Sequence, residues 1–165
     1  MRKSDKSIHR ICIAKIKRST MKPYDFKWAT FYENDSKILF QHYPFELHDD
    51  ELIICSTIID SANFSILTTR KLITNENGTL QFGSLINAKN KLYGEFKSKD
   101  EDFTFGKVEL ETGEILKYFI ETRRASMIMV QGVKTALDIQ KSTEAQIEKV
   151  AKIWNDKINR LLNND

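Results

Sequence analysis

The sequence predicts an α+β fold in which a bent antiparallel sheet or barrel is capped by a helix. Six or seven short segments rich in β-branched and aromatic residues occur within about seventy residues in the middle of the chain. Hairpin dipeptides, Asn77-Gly78 and Thr112-Gly113, separate neighbouring segments. Apolar residues then recur at helical spacing from residue 122 towards the C-terminus. Because strands this close in sequence pair antiparallel, their spacing alone indicates a barrel or a sandwich rather than parallel βαβ units.

The predicted strands fall into two groups, which we expect to form one sheet. In the first group, an apolar run follows Glu51, a second strand contains the stretch LTTRKL, and a third follows the Asn-Gly turn. In the second group, two strands flank the loop Glu111-Thr112-Gly113, and the segment before them bends at Gly94. The predicted strand segments are 51–59, 64–74, 79–82, one or two within 85–97, 103–110 and 114–120.

Two helices are predicted after the last strand. The first covers 122–140 and places Met127, Val130, Val133 or Lys134, and Leu137 on one face. Gly132 in this helix indicates close packing against a sheet. The second helix begins at a capping box in 143–146.

The last helix has a long apolar stripe that must be buried. Its residues recur at steps of three and four: Ile147, Val150, Ala151, Trp154, Ile158, Leu161 and Leu162. The stripe could dock on the N-terminal segment around Trp28 and Phe31, or on a second copy of the chain. We favour the first, since intramolecular closure needs no protein concentration. The chain would then be a monomer, and otherwise a homodimer through this helix.

The N-terminal segment, 1–46, is basic and aromatic. Residues 1–27 contain nine basic and two acidic side chains, a net charge of +7 that leaves −4 for the rest of a chain whose total is +3. The apolar residues of 5–19 fit neither a helix nor a strand period cleanly, so both remain open. A short helix is predicted within 36–43, capped by Asp35-Ser36, and the many aromatic residues are expected to pack in a core.

The composition indicates which cellular compartment the protein occupies and what role its cysteines have. No apolar run approaches the roughly 20 residues of a membrane-spanning helix, so we expect a soluble, cytoplasmic protein. Two cysteines, Cys12 and Cys55, are too few for a disulfide framework, and we expect them to be small buried apolar residues.

Residues 47–141 resemble a bacterial pleckstrin-homology-like (PH-like) domain. The resemblance is carried by Glu51 before the first strand, by the helix after the last strand, and by the second strand, whose matching residues are Ile66, Leu67, Thr68, Arg70 and Leu72. It implies three parts: an N-terminal extension (1–46), a PH-like domain (47–141) and a terminal amphipathic helix (142–165). It also implies that LTTRKL is a structural strand.

The resemblance also raises the question of phosphoinositide binding. In the family, basic residues on the first two strands and their connecting loop hold the lipid headgroup. Here the loop 60–63 contains Asp60, the first strand has no basic residue, and only Arg70 and Lys71 remain as candidate anion contacts. We therefore do not expect this chain to bind phosphoinositides, since a fold does not confer a site.

Enzymatic sites find little support in the sequence. There is no Cys-x-x-Cys, His-Glu-x-x-His, Gly-x-Ser-x-Gly or glycine-rich phosphate motif, and we expect the histidines to have surface roles. The one candidate is Glu95-Phe96-Lys97, which could place a carboxylate and a lysine on one face of a strand, as in a metal-dependent nuclease, with Asp60 or Asp102 as partner.

The sequence therefore predicts a non-catalytic binding module without a cofactor, whose partner is a protein. One alternative is a nucleic-acid-associated protein that uses residues 1–32. The other is the nuclease that uses Glu95 and Lys97.

Overall fold

The computed structural model describes residues 2–163, and it describes the backbone but not the side chains of 142–147. The predicted α+β class is confirmed. In chain order the elements are α1 (Asp5–Ser19), β1 (Ala29–Phe31), a 3₁₀ helix (Lys37–Phe40), β2 (Ile53–Asp60), β3 (Asn63–Thr68), β4 (Lys71–Glu76), β5 (Thr79–Ser84), β6 (Lys89–Leu92), β7 (Phe103–Glu109), β8 (Ile115–Glu121), a 3₁₀ helix (Arg123–Ala125) and α2 (Ser126–Leu162).

The strands form two antiparallel sheets, so the prediction of one sheet or barrel was wrong. One sheet has the order β1-β2-β3-β4-β5 and the other β6-β7-β8, and within residues 2–163 they do not close into a barrel. A buried hydroxyl joins the sheets. The Oγ atom of Ser65 on β3 accepts a hydrogen bond from the backbone N–H of Phe119 on β8 at 2.8 Å and shares another with Thr74 Oγ1 at 2.9 Å.

The segment 5–19, for which the sequence left helix and strand open, is a helix. Ser4 caps it, and its buried residues recur at steps of one and three, which is a helical period: Ile8, His9, Cys12, Ile13 and Ile16. Counting isoleucines alone hid the period, because Ile11 is 37% exposed while Cys12 is fully buried. Helix α1 packs on the first half of α2.

The stretch LTTRKL is a hairpin and not one strand. Strand β3 ends at Thr68 and β4 begins at Lys71. The Oγ1 atom of Thr68 accepts hydrogen bonds from the backbone N–H groups of Arg70 at 3.1 Å and Lys71 at 3.0 Å, which holds the turn closed. The β-branched side chain of threonine favours a strand, but its hydroxyl can also cap a turn, and the prediction took only the first property into account. The hairpins at Asn77-Gly78 and Gly113 are confirmed, with positive φ angles of 52°, 83° and 90°.

The two predicted C-terminal helices are one helix, so the prediction of two was wrong. Helix α2 continues through 143–146, where we placed a helix start. The side chains of that capping box lie outside the described residues. No glycine or proline follows Gly132 in the sequence, so nothing stops the helix before its end.

The aromatic residues of the N-terminal segment pack in a core, as predicted. Phe40, Tyr43 and Phe45 contact one another, and Tyr43 lies edge-on to Phe64 with ring centroids 5.1 Å apart. The short predicted helix is the 3₁₀ helix Lys37–Phe40, and the Asp35 carboxylate accepts the N–H of Lys37 at 3.1 Å.

Gly132 lies in close contact with the sheet, and its substitution should be costly. A Cβ atom at this position would lie 2.8 Å from Cys55 Sγ and 3.1 Å from Leu67 Cδ2. We expect Gly132→Val to lose about 2 kcal/mol of unfolding free energy by overpacking, a fall in melting temperature of about 4–8 °C. The matched control Lys134→Val, at an exposed position of the same helix, should change it little. Equal losses in both variants would contradict the packing argument.

Candidate functional site: the exposed half of helix α2

The first half of α2 belongs to the core. Ile128, Met129 and Val133 are fully buried. Position 132 is in contact range of Ile16 on α1 and of Cys55 and Leu67 on the large sheet. The rest of the fold, residues 2–125, therefore covers this half of the helix, and we call this part of the chain the body.

The second half of α2 extends away from the body. Every residue from 148 to 163 is exposed. The helix has 37 residues, so it is about 55 Å long, and the part beyond residue 141 measures about 33 Å. This part contains six large apolar side chains that are 49–71% exposed: Val150, Ile153, Trp154, Ile158, Leu161 and Leu162.

The exposed stripe and the buried face lie on the same side of the helix. Trp154 follows Met129 by 25 residues in the sequence. At about 100° per residue, this rotation falls only about 20° short of seven full turns, so the two residues lie on nearly the same side of the helix. By the same reckoning, Ala151 and Ile158 lie about 40° and 20° on the other side of the Met129 direction. The stripe therefore faces the side on which the body lies, but further along the axis.

The apolar area of the stripe is large for a surface. Six side chains that are each half or more exposed present on the order of 700 Å², against about 300–600 Å² for the largest patch on a typical monomer. Its border carries Glu148 on one side and Lys157 on the other. The Lys157 ammonium lies 5.4 Å from the ring centroid of Trp154, which is close enough for a cation–π contact. An apolar centre with a charged border is typical of a protein-binding surface.

The predicted docking of this stripe on the N-terminal segment is not found. Trp28 packs edge-on against Phe103, with centroids 6.1 Å apart, and Phe31 packs against Tyr24 at 4.9 Å. Val150, Trp154, Ile158 and Leu161 remain exposed as a continuous stripe. The side chain of Ile147 lies outside the described residues. The sequence analysis missed Ile153, which widens the stripe; its signal was an isoleucine directly before Trp154, outside the three-four spacing.

The candidate anion contacts Arg70 and Lys71 are occupied by acidic groups. The guanidinium of Arg70 forms two hydrogen bonds to the Asp5 carboxylate, at 3.1 and 2.9 Å. Burial of Asp5 opposes its ionisation, but the hydrogen bonds from Arg70 and Thr69 outweigh burial and hold its pKa below the ordinary value. The Lys71 ammonium lies 3.5 Å from the buried carboxylate of Glu51. These cations stabilise the fold and are already neutralised.

The nuclease geometry is not present. Glu95 and Lys97 lie in a bend and a turn after β6, not on one face of a strand. Asp102 pairs with Arg123 at 3.6 Å, and Asp60 accepts the N–H of Ala62 at 2.8 Å. The described residues contain no group of three His, Cys, Asp or Glu side chains arranged to hold a metal ion.

The thiols have no reactive environment. Cys12 and Cys55 are free and buried, as predicted. Burial raises the pKa of Cys12 to about 12 and that of Cys55 well above its ordinary value. A thiol with so high a pKa is protonated at neutral pH and is a poor nucleophile. The expected surface role was wrong for His9, which is buried, with its Nε2 atom 2.7 Å from the backbone oxygen of Tyr32.

The clefts show no catalytic arrangement. One of about 410 Å³ lies between β5 and the β7–β8 hairpin, and Glu114 is the one titratable residue in its lining. Another of about 410 Å³ is lined by Ser4, Lys6 and several aspartates beside the start of α1. Neither places a nucleophile next to a base, which acyl or phosphoryl transfer chemistry would require.

The outer face of α1 carries exposed cations. Lys3, Lys6, Arg10 and Arg18 are solvent-exposed, whereas Lys17 pairs with Glu33. This face is about 22 Å long. Nucleic-acid binding through residues 1–32 stays a prediction.

Comparison with known proteins gives no match: no family model, no curated protein and no solved structure is significantly similar to the chain. No helix among the described residues has the length and apolar character needed to cross a membrane.

Proposed function

We propose that the chain is a non-catalytic protein-binding module of PH-like architecture whose binding surface is the exposed half of α2. The architecture is supported by four consecutive strands, β2 to β5, in one sheet, three, β6 to β8, in a second, and a helix directly after the last strand. The binding role rests on one observation: a continuous apolar stripe that the body of its own chain leaves uncovered.

The energetics favour a partner for this stripe. Burying a large apolar side chain contributes about 1.5–3 kcal/mol relative to leaving it exposed. Trp154 combines a large apolar area with few rotatable bonds, and tryptophan is enriched among the residues that dominate binding free energies. A single α-helix presenting such a stripe docks into a groove or against another helix.

Photo-crosslinking in the intact chain tests the proposal. A benzophenone amino acid at position 154 should form a covalent protein adduct on illumination in cells, and the same residue at position 156, on the opposite face, should not. The adduct at 154 should disappear when Ile158→Asp is added. All three chains should still fold and unfold cooperatively on heating, because these side chains are exposed on the single chain. The absence of an adduct at 154, or equal adducts at 154 and 156, would overturn the proposal.

A further inference from the structure

The stripe on the exposed half of α2 has the spacing of a two-stranded coiled coil. Ala151, Trp154, Ile158 and Leu161 follow one another at steps of three, four and three, the alternation of core positions in a heptad repeat. The same spacing extends back to Ile147 in the sequence. A helix with this spacing pairs with another helix of matching spacing, and a second copy of the chain provides one.

We propose that the partner of this helix is a second copy of the chain, bound antiparallel over residues 143–162; this deepens the proposed function and rests on it. Each copy offers on the order of 700 Å² of apolar surface, so a pair would bury roughly 1,400 Å², within the 1,200–2,000 Å² of stable interfaces.

The position of the body requires the antiparallel direction. The stripe faces the same side of α2 as the buried face around Met129 and Val133, so each body lies on the side from which the second helix approaches. In a parallel pair both bodies would occupy the same end and the same space between the helices. In an antiparallel pair they lie at opposite ends.

The sizes of the core residues fit the same direction. A parallel pair would place Ala151 opposite Ala151 and Trp154 opposite Trp154, which leaves one layer underfilled and the next overfilled. An antiparallel pair places Ala151 level with Trp154 of the second copy, so that the two central layers each combine a small and a large side chain. In this register Leu162 lies level with position 143 of the second copy. The overlap therefore ends where the body begins.

The helix dipoles favour the same direction, because they oppose each other in an antiparallel pair and align in a parallel one.

The mass of the full chain in solution tests the dimer. Light scattering with size-exclusion chromatography should give twice the chain mass of 19.2 kDa. Ile158→Asp should weaken the dimer by at least about 100-fold, as expected for a charge at the centre of an apolar interface. Asp156→Ala, on the opposite face, should remain dimeric. A wild-type monomer, or a dimer that Ile158→Asp leaves unchanged, would overturn the inference.

Disulfide trapping tests the direction. When Ala151→Cys and Trp154→Cys chains are mixed and oxidised, an antiparallel pair gives the mixed disulfide, and a parallel pair gives the two homodisulfides. Cys12 and Cys55 are buried, so the introduced thiols are the ones that react. Predominant homodisulfides would overturn the antiparallel arrangement.

The failure of this inference can be told apart from failure of the proposed function. If the chain is a monomer and the crosslinker at 154 gives an adduct with a different protein, the self-association is wrong and the binding module stands. A monomer with no adduct overturns both.

Discussion

The Gly106→Val variant is expected to lose about 3 kcal/mol of unfolding free energy, at the upper end of the usual cost of overpacking. Gly106 on β7 lies directly opposite Tyr118 on β8. A Cβ atom at position 106 would lie 2.2 Å from Cζ of Tyr118. The tyrosine side chain is fully buried in the core. Thermal unfolding should show a fall of about 6–12 °C in melting temperature.

Variants of the facing tyrosine test this explanation. Tyr118→Ala should itself lose about 3–5 kcal/mol, because it leaves a large cavity. Combined with Gly106→Val, which fills part of that cavity, it should lose clearly less than the sum of the two single variants. Strict additivity would show that the ring contact is not the cause.

Tyr118→Phe is the conservative control. The buried Tyr118 hydroxyl has no hydrogen-bond partner among the described residues, and burial raises its pKa, so the group is neutral at ordinary pH. Removing an unpartnered buried hydroxyl should leave stability unchanged or raise it. A loss above about 1 kcal/mol would show that the hydroxyl is bonded.

Local signals predicted the strands and the hairpins well. Asn77-Gly78 and Gly113 adopt the positive φ angles that their residue types allow at low cost. The error at LTTRKL arose where two properties of one residue conflict. Thr68 has a β-branched side chain that favours a strand, and a hydroxyl that caps the turn after it. The β-propensity of a residue cannot by itself decide between these roles.

The division into two sheets could not be predicted from local sequence. It depends on contacts between residues far apart in the chain, such as the hydrogen bond from Phe119 to Ser65. The spacing of apolar residues along the chain gives no information about a contact between such distant residues. The pairing of β1 with β2 is similar, because its three residues form too short a strand to be recognised.

The sequence predicted the apolar stripe of the candidate site, but it did not predict that the stripe would be left exposed. We expected it to cover the N-terminal aromatic residues, because intramolecular closure needs no protein concentration. Residues 5–19 form a helix that packs on the first half of α2, and Trp28 and Phe31 have aromatic partners of their own. With the body already covered, the stripe on the second half of α2 is left exposed. Because the sequence did not show that residues 5–19 form a helix, it also did not show that the N-terminal segment packs elsewhere and leaves the stripe uncovered.

Strand β1 pairs with β2, and a carboxylate on the other sheet, that of Glu121 at the end of β8, holds its start as well. Its two oxygens accept hydrogen bonds from the backbone N–H groups of Lys27, Trp28 and Ala29, at 3.1, 2.9 and 2.7 Å. Hydrogen bonds to a charged acceptor are stronger than neutral ones, and Ala29 is 5% exposed, so water does not readily replace its lost partner.

We therefore expect Glu121→Ala to lose about 2–4 kcal/mol of unfolding free energy and to speed the hydrogen exchange of the Trp28 and Ala29 amides relative to those of β2. Glu121→Gln should lose less than Glu121→Ala, because its amide oxygen can keep the two bonds from Trp28 and Ala29 while its amide nitrogen cannot accept the bond from Lys27. The control Glu111→Ala removes an exposed carboxylate that bonds only the Asn87 side chain among described residues, and it should change stability by less than about 0.5 kcal/mol. If Glu121→Ala and Glu111→Ala have the same effect, or if the amides of Trp28 and Ala29 keep their protection, the carboxylate does not hold β1 in place. The hydrogen bonds along β2 would then suffice to position the strand.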